Sequence, residues 1–219
     1  EVSRIDPEAN EVVATVPVGE QPSSVAIGHD AVWVANDRDG SLSRIDPTTN
    51  EVAETIAVNE AGQPPAGGPG RQPTDVVVVG DSVWVANPID GTVVEVDPST
   101  DEVVRTVDMG PDAVPFKLGG AGQVVWVLDE SGAYRTIDPQ SGVAHDPMPA
   151  SHEIVDFAEH GGRLWGAVPI DDLVVVEDAT LEGTRQTVEV DSPTSVAVDE
   201  RTAWVTSRDA NTVSRIDLG

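Results

Sequence analysis

The sequence contains no cysteine, a single lysine and no apolar run approaching the roughly 18–20 residues of a membrane helix. The absence of cysteine excludes disulfide bonds and fits both cytosolic residence and disulfide-free export. The absence of a long apolar run argues against direct membrane insertion. No signal peptide is visible, but residue 1 already lies inside a repeat, which indicates a processing boundary and leaves room for a lost signal or anchor.

Basic residues are also scarce. Twelve lysines and arginines stand against 39 aspartates and glutamates, a formal net charge of -27. Such a surface repels phosphate backbones and anionic lipid heads, so nucleic acid and membrane surfaces are not expected partners. A disordered acidic chain is excluded because the apolar residues, 39% of the total, are rich in valine and regularly spaced.

No window shows a sustained helical period, whereas a unit of roughly 40 residues recurs along the chain. Two sequence segments mark each unit. The first contains a tryptophan, as in AVWVAN and SVWVAN, and the second, further along, contains an Asp-Pro pair, as in SRIDPTTNEV. The tryptophans are Trp33, Trp84, Trp126, Trp165 and Trp204, spaced by 51, 42, 39 and 39 residues. The longest spacing contains a Pro/Gly-rich insertion at residues 61–71.

Each unit contains four short β patterns bounded by Gly, Pro, Asn and Asp. In the first full unit they are Ser24–Gly28, Ala31–Ala35, Leu42–Ile45 and Val52–Val58. Four antiparallel strands in about 40 residues form one propeller blade. We therefore interpret the tryptophans as packing between blades. The Asp-Pro pairs are interpreted as turn caps without a metal role, at Asp6, Asp46, Asp97 and Asp138.

The chain opens with VSRIDP from Val2 and closes with VSRID from Val213, and both are third-strand motifs. The N-terminal fourth strand, Val12–Val18, is predicted to complete the final unit and so to close the ring. The sequence thus predicts an all-β fold, one β-propeller domain over residues 1–219 with four-stranded antiparallel blades. Five blades is the simplest count, and the alternative is part of a six- or seven-bladed ring.

The texts VWVAN, DGSLSRIDPTTNEV and QPSSVAIG resemble the YVTN-type β-propeller repeats, which are related to the NHL and virginiamycin B lyase-like propellers. The resemblance covers nearly the whole chain and is weakest around Trp165. It implies bacterial surface or periplasmic proteins, sensor portions of larger proteins and scaffold modules. A minority of such propellers are lyases that use a histidine and acidic groups with a divalent metal, but no matching histidine segment occurs here.

Propellers bind ligands on the face where the loops between second and third strands meet the loops between blades. We predict that a protein or small-molecule ligand binds there. The candidate residues are Asp37, Arg38, Asp39, Arg71, Asp90, Asp129, Glu130, His152, Asp171, Asp172, Arg208 and Asp209. The simpler interpretation is that they form hairpin turns. The sharper one is a carboxylate ring that attracts Ca²⁺ or a basic partner, although DRDG lacks the later ligands of a calcium loop.

Three functions remain open at this point. The first is a non-catalytic binding or scaffold propeller, extracytoplasmic rather than cytoplasmic, without a required cofactor. The second is a metal-assisted, lyase-like enzyme served by His152, Glu153 and the loop aspartates. The third is a structural subunit of a surface layer or filament, joined by pairing of the VSRID strands between chains. No HxH, HExxH or GxSxG motif is present, which favours the first.

Overall fold

The computed structural model describes residues 1–59, 73–121, 124–149, 152–178 and 186–218. The strands that it contains are short and joined mostly by tight turns, as the sequence predicts. Among the described residues, the one helical element is a 3₁₀ turn, Pro169–Asp171. The same ranges contain no helix with the length and hydrophobicity that crossing a bilayer requires.

Among the described residues, four sheets have the strand content of a complete blade, and neighbouring strands pair antiparallel within each. Blade 1 contains β3 (Pro22–Gly28), β4 (Ala31–Asn36), β5 (Ser41–Asp46) and β6 (Glu51–Ala57); blade 2 contains β7 (Asp75–Val79), β8 (Ser82–Asn87), β9 (Thr92–Asp97) and β10 (Glu102–Asp108); blade 3 contains β11 (Pro115–Ala121), β12 (Val124–Asp129), β13 (Ala133–Asp138), β14 (Val143–Ala144) and β15 (Met148–Pro149); blade 4 contains β16 (Asp156–His160), β17 (Arg163–Val168), β18 (Leu173–Asp178) and β19 (Gln186–Glu189).

Two smaller sheets flank these blades. The N-terminal hairpin consists of β1 (Val2–Asp6) and β2 (Glu11–Val16). The C-terminal sheet consists of β20 (Pro193–Val198), β21 (Thr202–Ser207) and β22 (Thr212–Asp217). The hairpin corresponds to the third and fourth strands of a blade, and the C-terminal sheet to the first three.

The predicted pairing of the N-terminal fourth strand differs from the observed one. We expected Val12–Val18 to complete the last blade, but β2 pairs with β1 instead, and the C-terminal sheet has three strands within the described part of the chain. The turn between β1 and β2 is only four residues long, and its Asn10 N–H donates to the Asp6 carbonyl at 2.8 Å. A local hairpin forms with little loop-closure entropy, whereas pairing with β22 joins chain ends about 200 residues apart.

The core lies between successive sheets. Trp33 of blade 1 packs against Val76, Val83 and Val85 of blade 2. The same relation joins Trp84 to blade 3, Trp126 to blade 4 and Trp165 to the C-terminal sheet. The first strands of neighbouring blades also contact one another, in the order β3, β7, β11, β16 and β20. This confirms the predicted role of these four tryptophans and places the first strands around the central axis.

Candidate functional site

The two predicted sets of loops meet on one face, as the fold requires. The N–H groups of Asp37 and Arg38 donate to the carbonyls of Gln21 and Glu20, at 3.0 and 3.3 Å. The Glu130 N–H donates in the same way to the Val114 carbonyl, at 3.1 Å. Each loop between second and third strands in these examples is thus tied to the loop that enters its blade.

The side chain of Asp129 also connects its own loop to the loop that enters the blade. It is 2% exposed, and its two carboxylate oxygens accept the N–H groups of Val114 and Ser131, at 2.7 and 2.8 Å. Desolvation opposes the charge of this carboxylate, but hydrogen bonds from Ser131 and Val114 outweigh it and lower the pKa of Asp129. Its charge is therefore stabilised by the fold itself.

Three more candidate carboxylates contact a neighbouring loop. Asp39 accepts the N–H of Glu20 at 2.5 Å, and Asp172 accepts that of Ser192 at 2.8 Å. Asp209 accepts the Ser192 hydroxyl at 3.2 Å. The turn interpretation of these residues therefore has a concrete structural basis, which leaves ligand binding as a separate prediction.

The other candidates differ in exposure. Arg38 makes a largely exposed ion pair with Glu20, at 3.5 Å. The exposed set also contains Asp90, Glu130, Asp171 and Arg208, whereas Asp37 and His152 are half-buried. Arg71 and the insertion at residues 61–71 lie outside the described residues. Within the ranges that the structure describes, no three His, Asp or Glu side chains are grouped so as to hold a metal ion.

A second cluster, which the sequence analysis missed, lines the inner strands. We call it the inner belt: Ser24, Asp75, Lys117, Asp156 and Ser195. Each of these residues lies nine positions before the tryptophan of its unit. Each also pairs with the equivalent residue of the second strand, Ala35, Ala86, Leu128, Ala167 and Thr206. The inner belt is thus one repeat position followed through five sheets.

Lys117, the only lysine of the chain, occupies the middle of the inner belt. Its Nζ lies 3.6 Å from Asp75 Oδ2 and 3.3 Å from Asp156 Oδ1, and both carboxylates are buried. The Ser24 hydroxyl donates to Asp75, and the Ser195 hydroxyl donates to Asp156 at 2.5 Å. The order along the inner belt is therefore Ser, Asp, Lys, Asp, Ser. The lysine has a carboxylate on each side, and each carboxylate has a serine hydroxyl on its other side.

The two aspartates also accept backbone donors from the next blade. Asp75 Oδ2 accepts the N–H of Leu118 at 2.8 Å, and Asp156 Oδ2 accepts that of Val196 at 3.0 Å. Each aspartate therefore joins its own first strand to the following one. These contacts make the inner belt a connection between blades, in addition to the tryptophan packing.

The electrostatics of the inner belt disfavour acid-base catalysis by Lys117. Desolvation opposes its charge, but the carboxylates of Asp75 and Asp156 outweigh this and raise the pKa of Lys117 above its ordinary value. An amine that stays protonated is neither a nucleophile nor a general base near neutral pH. For Asp75, desolvation outweighs the attraction of Lys117 and raises the pKa of the carboxyl group above its ordinary value.

A third feature is a groove at the N-terminal end of the array. It has a volume of about 720 Å³ and lies between the N-terminal hairpin and the first two strands of blade 1. Its lining is mainly apolar and includes Val2, Val16, Val25, Ile27, Val32 and Ile45. The hairpin covers the outer part of blade 1, through a small core with Val16, Val34 and Ile45. The inner strands β3 and β4 are left facing the groove.

Comparison with known proteins supports the architecture. No family model matches the sequence, and no curated protein does so either. A solved structure of hydrazine synthase from Kuenenia stuttgartiensis is similar to this chain, with a TM-score of 0.60 and 15% identity. The match covers 98% of this chain and 88% of that one. At this identity the likeness concerns the fold alone, and with the blade-like sheets it shows that the chain is a β-propeller.

Proposed function

We propose that this propeller is a non-catalytic binding or scaffold module that presents an acidic loop face to a cationic protein segment, without a required cofactor. The observation that carries the proposal is the construction of that face. Asp39, Asp129 and Asp172 fasten the loops to one another, while Glu130 and Asp171 remain exposed on the surface. Rigid loops with exposed carboxylates are suited to recognition by charge.

The net charge supports the choice of partner. At -27, the chain attracts cations over its whole surface and repels anionic polymers. A basic peptide or protein is thus the partner that the electrostatics favour. The sequence resemblance further supports an extracytoplasmic setting, secreted or at the cell surface, as a sensor or scaffold portion of a larger bacterial protein.

The test is isothermal titration calorimetry of the protein with an arginine-rich peptide at 0.15 M salt. In a loop-face variant, Glu130→Gln, Asp171→Asn and Asp209→Asn are combined. We expect its dissociation constant to rise at least about tenfold, because three lost charge contacts together remove about 1.4 kcal/mol or more.

The matched control removes the same charge from the opposite face, through Asp30→Asn, Asp81→Asn and Glu200→Gln, all exposed positions. We expect less than a twofold change. Equal weakening in the two variants would show that only the overall charge attracts the peptide, and would overturn the proposed site. If Ca²⁺ raises the melting temperature and the loop-face variant abolishes that effect, the face binds a cation instead.

A further inference from the structure

The loop face presents two exposed isoleucines at one position of the repeat. Ile89 lies in the turn between β8 and β9, and Ile170 lies in the 3₁₀ turn between β17 and β18. The two residues are 58% and 73% exposed. Each lies five residues after the tryptophan of its unit, and the other three units have a polar residue there: Arg38, Ser131 and Asp209. The turn itself therefore does not require an isoleucine.

The packing of the blades does not require these side chains either. Among the described residues, none of the core clusters includes Ile89 or Ile170. Turns favour Gly, Pro, Asn, Asp and Ser, whereas an isoleucine in a turn offers a large apolar side chain to the solvent. One such residue is common on a protein surface, but its recurrence in equivalent turns of one face indicates a surface for contact with a partner.

Both turns are held in a fixed conformation. Each isoleucine belongs to a Pro-Ile-Asp segment, in which the proline restricts the φ angle of the turn. The Gly91 carbonyl of the first turn accepts the N–H of Met109 at 3.0 Å, and the Asp172 carbonyl beside the second accepts that of Val190 at 3.0 Å. Both donors follow the last strand of their own blade directly. A partner that contacts the isoleucines therefore needs to order little of the loop face on binding.

A carboxylate follows each isoleucine directly in the sequence. Asp90 and Asp171 are exposed, and the exposed Glu130 lies in the corresponding turn of blade 3, which stands between blades 2 and 4. An apolar side chain next to a carboxylate complements a partner in which an apolar side chain lies next to an arginine or a lysine. The net charge of -27 disfavours an anionic lipid surface in the same place.

We propose that Ile89 and Ile170 are the apolar anchors of the loop face, and that its partner is a cationic segment whose arginines or lysines alternate with apolar side chains. This inference rests on the proposed function and narrows it, because a purely basic segment leaves both isoleucines in water. The segment crosses the turn of blade 3, where its basic groups meet Glu130. The apolar contacts supply affinity that salt does not screen, and the carboxylates supply the preference for a cation.

The experiment is isothermal titration calorimetry with two synthetic peptides of equal length and equal charge. One alternates arginine with leucine, and the other alternates arginine with serine. We expect the leucine peptide to bind at least about tenfold more tightly, because its side chains and the two isoleucines leave water together. The difference between the peptides should persist when the salt is raised from 0.15 to 0.5 M, since salt screens charges and not apolar contacts.

A variant that combines Ile89→Ser and Ile170→Ser tests the anchors themselves. It is expected to bind the two peptides alike, with an affinity for the serine peptide within about twofold of the wild type. The matched control combines Val104→Ser and Val143→Ser, which lie on the outer strands β10 and β14 and are both 54% exposed. We expect the control to keep the full preference for leucine. Circular dichroism checks that both variants fold, as expected for changes at exposed side chains.

The outcomes separate this inference from the proposed function. If the wild type binds both peptides equally and the loop-face charge variant weakens both, the acidic face is supported and the isoleucine anchors are wrong. A control that loses as much of the preference as the isoleucine variant places the apolar contact elsewhere and also overturns the anchors. If neither peptide binds, the proposed function and this inference fail together.

A last measurement distinguishes a protein segment from a lipid surface. The wild type is mixed with phosphatidylcholine vesicles and sedimented, and we expect it to stay in the supernatant. Sedimentation with the vesicles that the combined Ile89→Ser and Ile170→Ser variant abolishes would assign the two isoleucines to a membrane, which overturns the proposal.

Discussion

At the scale of single residues, Lys117 is the most informative position in the chain. The only lysine lies between two buried carboxylates from neighbouring blades, Asp75 and Asp156, and both depend on it for a compensating charge. A buried carboxylate without a cation is strongly destabilising, because desolvation is no longer offset. Lys117 thus stabilises three adjacent blades at once.

We predict that Lys117→Met lowers the free energy of unfolding by on the order of 2 kcal/mol, less than for a fully buried pair because its side chain is 35% exposed. Urea denaturation measures the loss. Arg38→Met, which breaks the exposed pair with Glu20, is the control and should lower stability by less than about 1 kcal/mol. A similar small loss in both variants contradicts the structural role of Lys117.

At the scale of elements, the Asp-Pro turns between third and fourth strands repeat one design. The leading aspartate accepts the N–H two residues later, as in Asp46 with Thr48 at 2.7 Å and Asp97 with Ser99 at 2.8 Å. The fifth residue of the turn has a positive φ, 57° at Asn50 and 60° at Asp101, a region that Asn, Asp and Gly tolerate best. The turn-cap interpretation made from the sequence is therefore confirmed.

The pH dependence of this turn follows from its hydrogen bonds. The Ser99 hydroxyl, at 2.6 Å, and the Ser99 N–H lower the pKa of Asp97 below its ordinary 3.8. A lowered pKa in the folded state gives stability that is present above the unfolded value and is lost as pH falls through the folded value. The same direction holds for Asp46 and Asp138.

We therefore predict that Asp97→Ala lowers the melting temperature at pH 7 and that the difference from the wild type shrinks as the pH falls below about 3.8. Calorimetry of both proteins between pH 2 and 7 tests this. Ser99→Ala should move the pKa of Asp97 upward, measured by NMR titration. A difference in melting temperature that is independent of pH contradicts the electrostatic part of this account.

At the scale of the whole molecule, stability comes from junctions between sheets, each centred on one tryptophan. Trp33 and Trp84 are fully buried, and Trp33 Nε1 also donates to the Gly28 carbonyl at 3.1 Å. Trp204 holds the same repeat position but is 46% exposed, because no following sheet covers it within the described residues. Identical sequence positions thus have different energetic weight according to what packs on them.

We predict that Trp33→Ala lowers the free energy of unfolding by about 3–5 kcal/mol, as expected for a large side chain removed from a packed core. In dilute solution Trp204→Ala should lower it by roughly half as much, since about half of Trp204 is already exposed. Denaturation at 1 µM compares the two variants. Equal losses at this concentration would mean that Trp204 is already buried in the single molecule.

Much of the fold could be predicted from the repeat. Strand positions in blade 1 agree with the structure within two residues, because Gly, Asp and Pro punctuate short valine-rich segments. The inner belt is also visible in the sequence, because its members lie a constant nine residues before each tryptophan. These members differ chemically, so a search for similar sequence segments does not find them. The described loop residues lie where the two sets of loops meet, as expected from the repeat, while ligand binding at these loops remains a prediction.

The sequence by itself determined the blade: its four strands, its Asp-Pro turns and its tryptophan, since these depend on local hydrophobic pattern and turn chemistry. Only the tertiary structure decided which strands pair at the two ends. β1 and β22 carry the same VSRID text and are equally suited to β2, so sequence alone does not choose between them. In the structure β2 pairs with β1, the neighbour joined by a short turn, and the faces around Ile27 and Trp204 stay exposed.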